Sequence, residues 1–552
     1  MTAAAAADAI FVNGRFYTVD SARRWVDAVA VKAGKIVALG DAEVRRVADG
    51  ATRMIDLGGR MALPGIVDVH NHALMGGATE LFELRFPGSL GLDAIVARVR
   101  AVAERTEPGR WIIGSQWGAD LFGVLNSTEA LAKLDAASLG HPVLLRDETY
   151  HNRWVNSETM RLSGITEASA DPANGSFGRD RGKLTGLMIE AASGIVERAA
   201  ATVGKYTPEM DRQAVTKAVA TLNSYGVTAF MDAAAMEPIL TALATLDDEG
   251  KLSAWAAGAM PAVEPAFLFG ISGDALFARR QEFVRKHVRP TYVKVFLDGV
   301  PGARTAAFHE PYLEDPVIGC CFRGSTMVTY PDLVRWLGKA EQLGLGVKIH
   351  CAGDAAVTQA LDAIDVVRSF NGPTDLVHHI AHASYIAPAD IARFAELGVA
   401  ADLSPMLWYP TTFLEGHKQV MGAERATRFW PNRDLREAGA LLAGGSDWPV
   451  IPNPDPWDGI EGMVTRRNPS GAFPGTALWP EQAIDVATAI EIFTINSAQA
   501  IGLGDTIGSL EIGKSADLIV LDRNIFETAP DDIAETKVLA TYFEGRPVFE
   551  RA

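Results

Sequence analysis

Cysteine is scarce in these 552 residues: only Cys320, Cys321 and Cys351 occur. Two of the three are neighbours, which excludes a disulfide framework and predicts a reducing compartment. Basic charge is also short. The 51 lysines and arginines stand against 68 aspartates and glutamates, a net charge of −17, and such a surface disfavours nucleic acid and anionic membranes. No apolar run approaches the roughly 18 residues of a membrane-spanning helix. The start, Met1-Thr2 followed by alanines and Asp8, lacks the basic flank and apolar core of a secretory signal. These absences predict a cytoplasmic protein with no nucleic-acid or membrane partner.

What is present reads as alternating strands and helices. Eight short apolar segments qualify as strands: Gly65–His70, Gly226–Asp232, Leu252–Gly258, Tyr292–Asp298, Gly346–His350, Leu376–His382, Val399–Leu403 and Ala440–Asp447. Helical periodicity falls between most of them, as in Met210–Ser224, Asp332–Leu343, Asp354–Arg368 and Pro388–Glu396. Eight such units predict an α/β fold, a (β/α)8 TIM barrel. The first two strands are too far apart for an ordinary crossover. Residues 75–205 therefore read as an inserted lid subdomain, with strands at Trp111–Trp117 and Pro142–Asp147 and a loop-rich run at Asp171–Gly178. Both ends of the chain are β-rich, including Gly508–Gly513 and Ala516–Asp522. They predict one small sheet domain shared by residues 1–62 and 501–552, with the barrel spanning 63–500.

Chemistry-bearing side chains collect at the predicted strand ends. His70 and His72 lie two apart, so they project from one face of the first strand. An isolated H-x-H is usually no more than two histidines; the pair gains weight from its company. Lys294 sits inside the fourth strand, His350 ends the fifth, His382 the sixth and Asp447 the eighth. In such a barrel the C-terminal strand ends form the active-site mouth, and imidazole-rich ligation suits zinc. Each residue also has a plain alternative. Lys294 can snorkel or pair with Asp298, His382 competes with His378 and His379, and Asp447 can cap a turn. Cys351 points to the opposite face from His350 and reads as core.

The motifs Leu63-Pro64-Gly65-Ile66-Val67-Asp68-Val69-His70-Asn71-His72, Trp154-Val155-Asn156-Ser157, Val293–Gly299, His350-Cys351-Ala352-Gly353-Asp354, His379-Ile380-Ala381-His382-Ala383 and Gly445–Val450 occur in an order that resembles the amidohydrolase superfamily. It resembles more closely that superfamily's branch of N-substituted formamide deformylase-like and YtcJ-like proteins, and the resemblance covers nearly the whole chain. Two neighbourhoods depart from that branch: Cys351-Ala352 stands where it commonly has Ala-Ile, and His379-Ile380-Ala381 where it commonly has Arg-Ile-Glu. The resemblance implies a metal-dependent hydrolase with a barrel, a β-sandwich made by both termini and an insert after the first strand, with His70, His72 and Asp447 on one metal and His350 and His382 on a second. Lys294, converted by carbon dioxide to a carbamate, would bridge them; a single-metal form with unmodified Lys294 stays open. Asp447 is the implied catalytic base, and the implied reaction is hydrolysis of an N-acyl, N-formyl or cyclic amide.

Trp117, Tyr150, Trp154 and Trp448 are candidates to line an apolar pocket. His151, at a matching motif position, and Arg304 are candidates to touch substrate, and Glu190 is a further one. For Arg304 the alternative is a surface ion pair. Two rival readings stay in view. One is a metal-dependent isomerase, decarboxylase or hydratase on the same scaffold, since fold does not fix reaction; the other is a metal-free binding protein. Association into a homo-oligomer is left open.

Overall fold

The run from Ile66 to Asn71 is buried at every position, as a strand covered on both faces must be. It opens a sheet of eight parallel strands: Ile66–Asn71 (β1), Val227–Asp232 (β2), Trp255–Pro261 (β3), Val288–Phe296 (β4), Gly346–Cys351 (β5), His379–His382 (β6), Ala400–Leu403 (β7) and Leu441–Gly444 (β8). Their spatial order is their chain order. This computed structural model describes residues 6–173, 175–202, 207–265, 270–316 and 318–552. The sheet closes at its C-terminal rim, where the Asp447 N–H donates to the His70 carbonyl at 2.6 Å and the His72 N–H donates to that of Trp448 at 2.8 Å. The fold is a TIM barrel with a β-sandwich built by the chain ends.

Where strands begin later than the sequence suggests, a backbone partner explains it. The N–H groups of Lys251 and Leu252 both turn back to the Leu246 carbonyl, closing the preceding helix, so β3 starts at Trp255. Ahead of β6, His378 leaves the ladder and its Nδ1 accepts the Val347 N–H at 3.0 Å. β8 stops at Gly444, and Asp447 adopts φ +56° beyond it.

Helix Ala73–Phe82 (α1) follows β1 directly and packs on helix Pro208–Ser224 (α2). The contact is close enough to require glycine: a Cβ on Gly77 would fall 1.9 Å from the Ala214 carbonyl oxygen. α2 starts ahead of the expected Met210 because Thr207 caps it and Pro208 supplies the first turn.

Between α1 and α2 the insert forms its own six-stranded sheet, in the order 175–180, 183–190, 153–155, 143–147, 112–117, 84–85. The expected loop at Asp171–Gly178 is in part the first strand of a hairpin, turned by Arg181 at φ +49° and Gly182 at φ +83°; Asn174 of that run lies outside the described residues. At the chain ends, Met61–Pro64 pairs antiparallel with Leu518–Leu521. That six-stranded sheet packs on a four-stranded one through Phe11, Phe16, Leu518 and Tyr542. Gly508–Gly513, expected as a strand, is a turn.

Candidate metal centre and active site

The alternation of β1 puts Asp68, His70 and His72 on one face. Asp68 works as a tie. Its carboxylate accepts the His70 N–H at 3.0 Å, the Ser446 N–H at 3.0 Å and the Ser446 hydroxyl at 2.6 Å. Burial pushes its carboxyl up to about 6, against these hydrogen bonds. The tie fixes the loop after β8 against the end of β1 and so delivers Asp447 to the two histidines.

His70 Nε2 lies 3.5 Å and His72 Nε2 3.3 Å from Asp447 Oδ1. Among the described residues these three are the group whose ligand atoms converge tightly enough to hold an ion. Both distances exceed an ordinary hydrogen bond. They match the edge of a tetrahedron with legs of about 2.0–2.1 Å, which is about 3.4 Å. The donor set therefore fits a zinc-sized ion. Behind it, His70 Nδ1 lies 2.9 Å from Asp402 Oδ2, and that same oxygen is ion-paired to Lys348 Nζ. Burial alone would raise the Asp402 carboxyl; the Lys348 ammonium and His70 outweigh it and hold it well below the carboxylate range. Burial likewise pushes the His70 imidazole well down, so it stays neutral and able to ligate.

His350 and His382 stand beside this group, their ring centroids 4.3 Å apart, with His382 4.9 Å from His70. His350 Nε2 meets the Gly299 carbonyl at 3.1 Å and His382 Nδ1 that of Ser404 at 2.8 Å. Each ring therefore keeps its other nitrogen for a ligand, and burial holds both imidazoles low, His382 at about 3. Lys294 lines the same cavity with its Nζ 4.6 Å from the Phe296 ring centroid. Burial, helped by the Lys348 charge, brings its amine down to about 7. Asp298 is not its partner. That carboxylate accepts the N–H groups of Ala307, Ala352 and Gly353 at 2.9–3.0 Å.

All six proposed ligands face one cavity of about 230 Å³, roofed from the insert by Phe122 and by residues 147 and 149–152. His151 is on that roof, its Nδ1 3.0 Å from Glu190 Oε2, and Glu190 Oε1 accepts the Thr305 hydroxyl at 2.6 Å. Burial opposes charge on His151, but the Glu190 carboxylate prevails and raises the imidazole above its ordinary value.

Four of the expected substrate contacts stand elsewhere. Trp117 and Trp154 are wholly buried in the insert's core, where Trp117 Nε1 donates to the Leu145 carbonyl at 3.0 Å. Trp448 packs over Gly76, on the far side of the loop that carries Asp447. Arg304 is ion-paired with Asp315 and does not line the cavity, although Pro301, Gly302 and Ala303 do. Tyr150 does line the cavity as expected, and the other aromatic walls come from Phe122, Phe296, Phe413, Phe429 and Trp430. The sequence did not single out these five, nor Asp68, Lys348 and Asp402. For the last two a signal exists: a lone charge inside an otherwise apolar barrel strand.

Barrel, rim and ligand cluster together define a metal-dependent hydrolase. The amidohydrolase family model matches residues 53–549, so the chain belongs to the amidohydrolase family. It is 28% identical to the N-substituted formamide deformylase of Arthrobacter pascens, over 99% of this chain and 98% of that one. With the putative amidohydrolase YtcJ of Bacillus subtilis it shares 27% identity, over 99% and 100% respectively. Its fold superposes on an uncharacterized metal-dependent hydrolase from Pyrococcus horikoshii with a TM-score of 0.74 and 25% identity, covering 95% of this chain and 99% of that one. Membership of that family makes the chain an enzyme, a metal-dependent hydrolase of the amidohydrolase type.

Proposed function

We propose that the protein hydrolyses a neutral amide of a small molecule, an N-formyl or N-acyl amine or a cyclic amide, with zinc held by His70, His72 and Asp447. The observation that carries this reading is the 3.3–3.5 Å convergence of two imidazole nitrogens and one carboxylate oxygen at the floor of a largely apolar cavity. Similarity to the formamide deformylase supports the choice of amide. Zinc, when bound, supplies a Lewis acid that polarises the carbonyl and makes water acidic near neutral pH.

The chain's own groups do the rest. Asp447 Oδ2, the oxygen turned away from His70 and His72 toward His382, takes a proton from the attacking water and passes it to the leaving nitrogen. His151, anchored by Glu190, holds the polar end of the substrate from the lid side. The apolar walls exclude bulk water and seat the substituent.

A second ion on His350 and His382 belongs to the same reading. Burial brings the Lys294 amine down to about 7, so its neutral form is accessible near neutral pH. A neutral amine adds to carbon dioxide with loss of one proton, giving a carbamate whose two oxygens suit a bridge. A cytoplasmic setting also belongs to the reading, and the three free thiols support it. No helix among the described residues is long and apolar enough to cross a membrane.

The test is a screen of N-formyl, N-acyl and cyclic amides with enzyme purified without chelators, following amine and acid together. Equimolar release of both products from a linear amide is expected. Turnover of a substrate without bond cleavage to two products would instead favour an isomerase or hydratase.

A further inference from the structure

One wall of the active-site cavity carries a buried imidazole that the hydrolysis above leaves unused. Helix Thr412–Met421 (α3) follows β7. Phe413, Gly416, His417 and Val420, at i, i+3, i+4 and i+7, form a stripe of that helix along the cavity. A stripe of this kind normally meets a core; here it meets space meant for a ligand. Nothing lies within 4 Å of where a Cβ on Gly416 would stand. His417 is 94% buried, packed edge-on against Phe429 at 5.2 Å.

The hydrogen bonds behind His417 fix which nitrogen carries its proton. The Tyr385 hydroxyl lies 3.1 Å from the Ala426 carbonyl and 3.0 Å from His417 Nδ1. A carbonyl only accepts, and the two contacts are hydrogen bonds together only when the single Tyr385 proton goes to Ala426. His417 Nδ1 must then donate its own N–H to the Tyr385 oxygen. Burial pushes this imidazole down to about 3, so near neutral pH it holds one proton, on Nδ1. Nε2 is left as a lone pair, and it makes no hydrogen bond within the described protein. Nε2 is not among the protein's sealed, unpartnered polar atoms, so it is open to a donor that enters the cavity.

We propose that His417 is a specificity-determining residue whose Nε2 accepts a hydrogen bond from an O–H or N–H group on the apolar part of the substrate. The substrate class is then an amide whose substituent is aromatic or aliphatic and carries one uncharged donor, as a phenol or an indole does. That last step rests on the amide reading; the binding preference of the cavity does not.

The experiment compares indole with 1-methylindole, and phenol with toluene, as ligands of the metal-loaded protein by NMR titration. Each pair differs at the donor. Wild type is expected to bind indole and phenol about tenfold more tightly than their partners, the worth of one buried hydrogen bond. His417→Phe should bind both members of a pair alike, at the weaker level. Tyr385→Phe keeps the His417 ring but frees Nδ1, so it should erase most of the preference without abolishing binding. Equal binding of both members by wild type, no binding of any, or a preference that survives His417→Phe overturns the proposal. A parallel assay uses an anilide and its 4-hydroxy counterpart. If neither is hydrolysed while the binding preference holds, the amide reading fails and the role of His417 stands.

Discussion

His70 is gripped from behind as firmly as it is offered in front. Asp402 takes its Nδ1–H, leaving Nε2 to ligate, and Lys348 keeps Asp402 ionised. Such partners typically govern metal affinity or activity by 10–100-fold, so Asp402→Asn should lower one or both by about that factor while the fold persists. Isothermal metal titration and kcat measure it; an unchanged affinity and rate would remove Asp402 from the account. Asp447→Asn is the sharper change. It keeps an oxygen ligand but removes the base, so kcat should fall about a thousandfold or more with metal largely retained. Normal turnover in that variant would mean that another group moves the proton. The candidate ligands were legible because they lie at or near the C-terminal ends of strands around one rim. Asp402 and Lys348 were not, because a charge inside a barrel strand looks like a departure from the pattern until its partner across the sheet is seen.

Elements decide what the ligand atoms see. β8 ends early, and the tie from Asp68 to Ser446 carries the chain over so that Asp447 faces β1. The alternating strands and helices foretold the barrel and the insert. They did not foretell the walls. Trp117, Trp154 and Trp448 have the composition of a pocket lining, but large rings also fill cores, and here each does so. The lining comes instead from α3 and the Phe429–Trp430 segment, whose periodicity suggests ordinary packing. Arg304 shows the same limit: its pairing with Asp315 became visible only once the loop was folded. Because that pair is partly exposed and outside the cavity, Arg304→Ala should leave kcat/KM within about twofold for any amide. A large loss confined to carboxylate-bearing substrates would return Arg304 to the binding site.

At the scale of the whole molecule, the terminal sandwich is fastened to the barrel by charge as well as by apolar contact. His287, just ahead of β4, has Nδ1 2.6 Å from Asp247 and Nε2 3.5 Å from Glu544 of the C-terminal hairpin. His287, 3.5 Å away, and the Lys286 ammonium draw the Glu544 carboxyl down to about 2. Burial opposes charge on His287, but its two carboxylate partners raise its imidazole above 6.5. The signs follow from linkage. The Glu544 contribution is fully present above about pH 4.5 and is lost as pH falls through about 2. The His287 contribution is full below about pH 6.5 and is lost as pH rises through its raised folded value. His287→Gln should therefore cost stability mainly in the mildly acidic range and flatten the alkaline decline. Chemical denaturation midpoints across pH test this, and a parallel downward shift at every pH would contradict it.

The account stands or falls on a cation shared by His70, His72 and Asp447. Metal content is therefore its most direct measurement: elemental analysis of wild type and of a His70→Ala, His72→Ala double variant, both purified without chelators, alongside turnover. About one zinc per chain or more is expected in wild type, with loss of metal and of activity together in the variant. A wild type that turns over amide while carrying almost no divalent metal, or a variant that keeps its full complement, would contradict it.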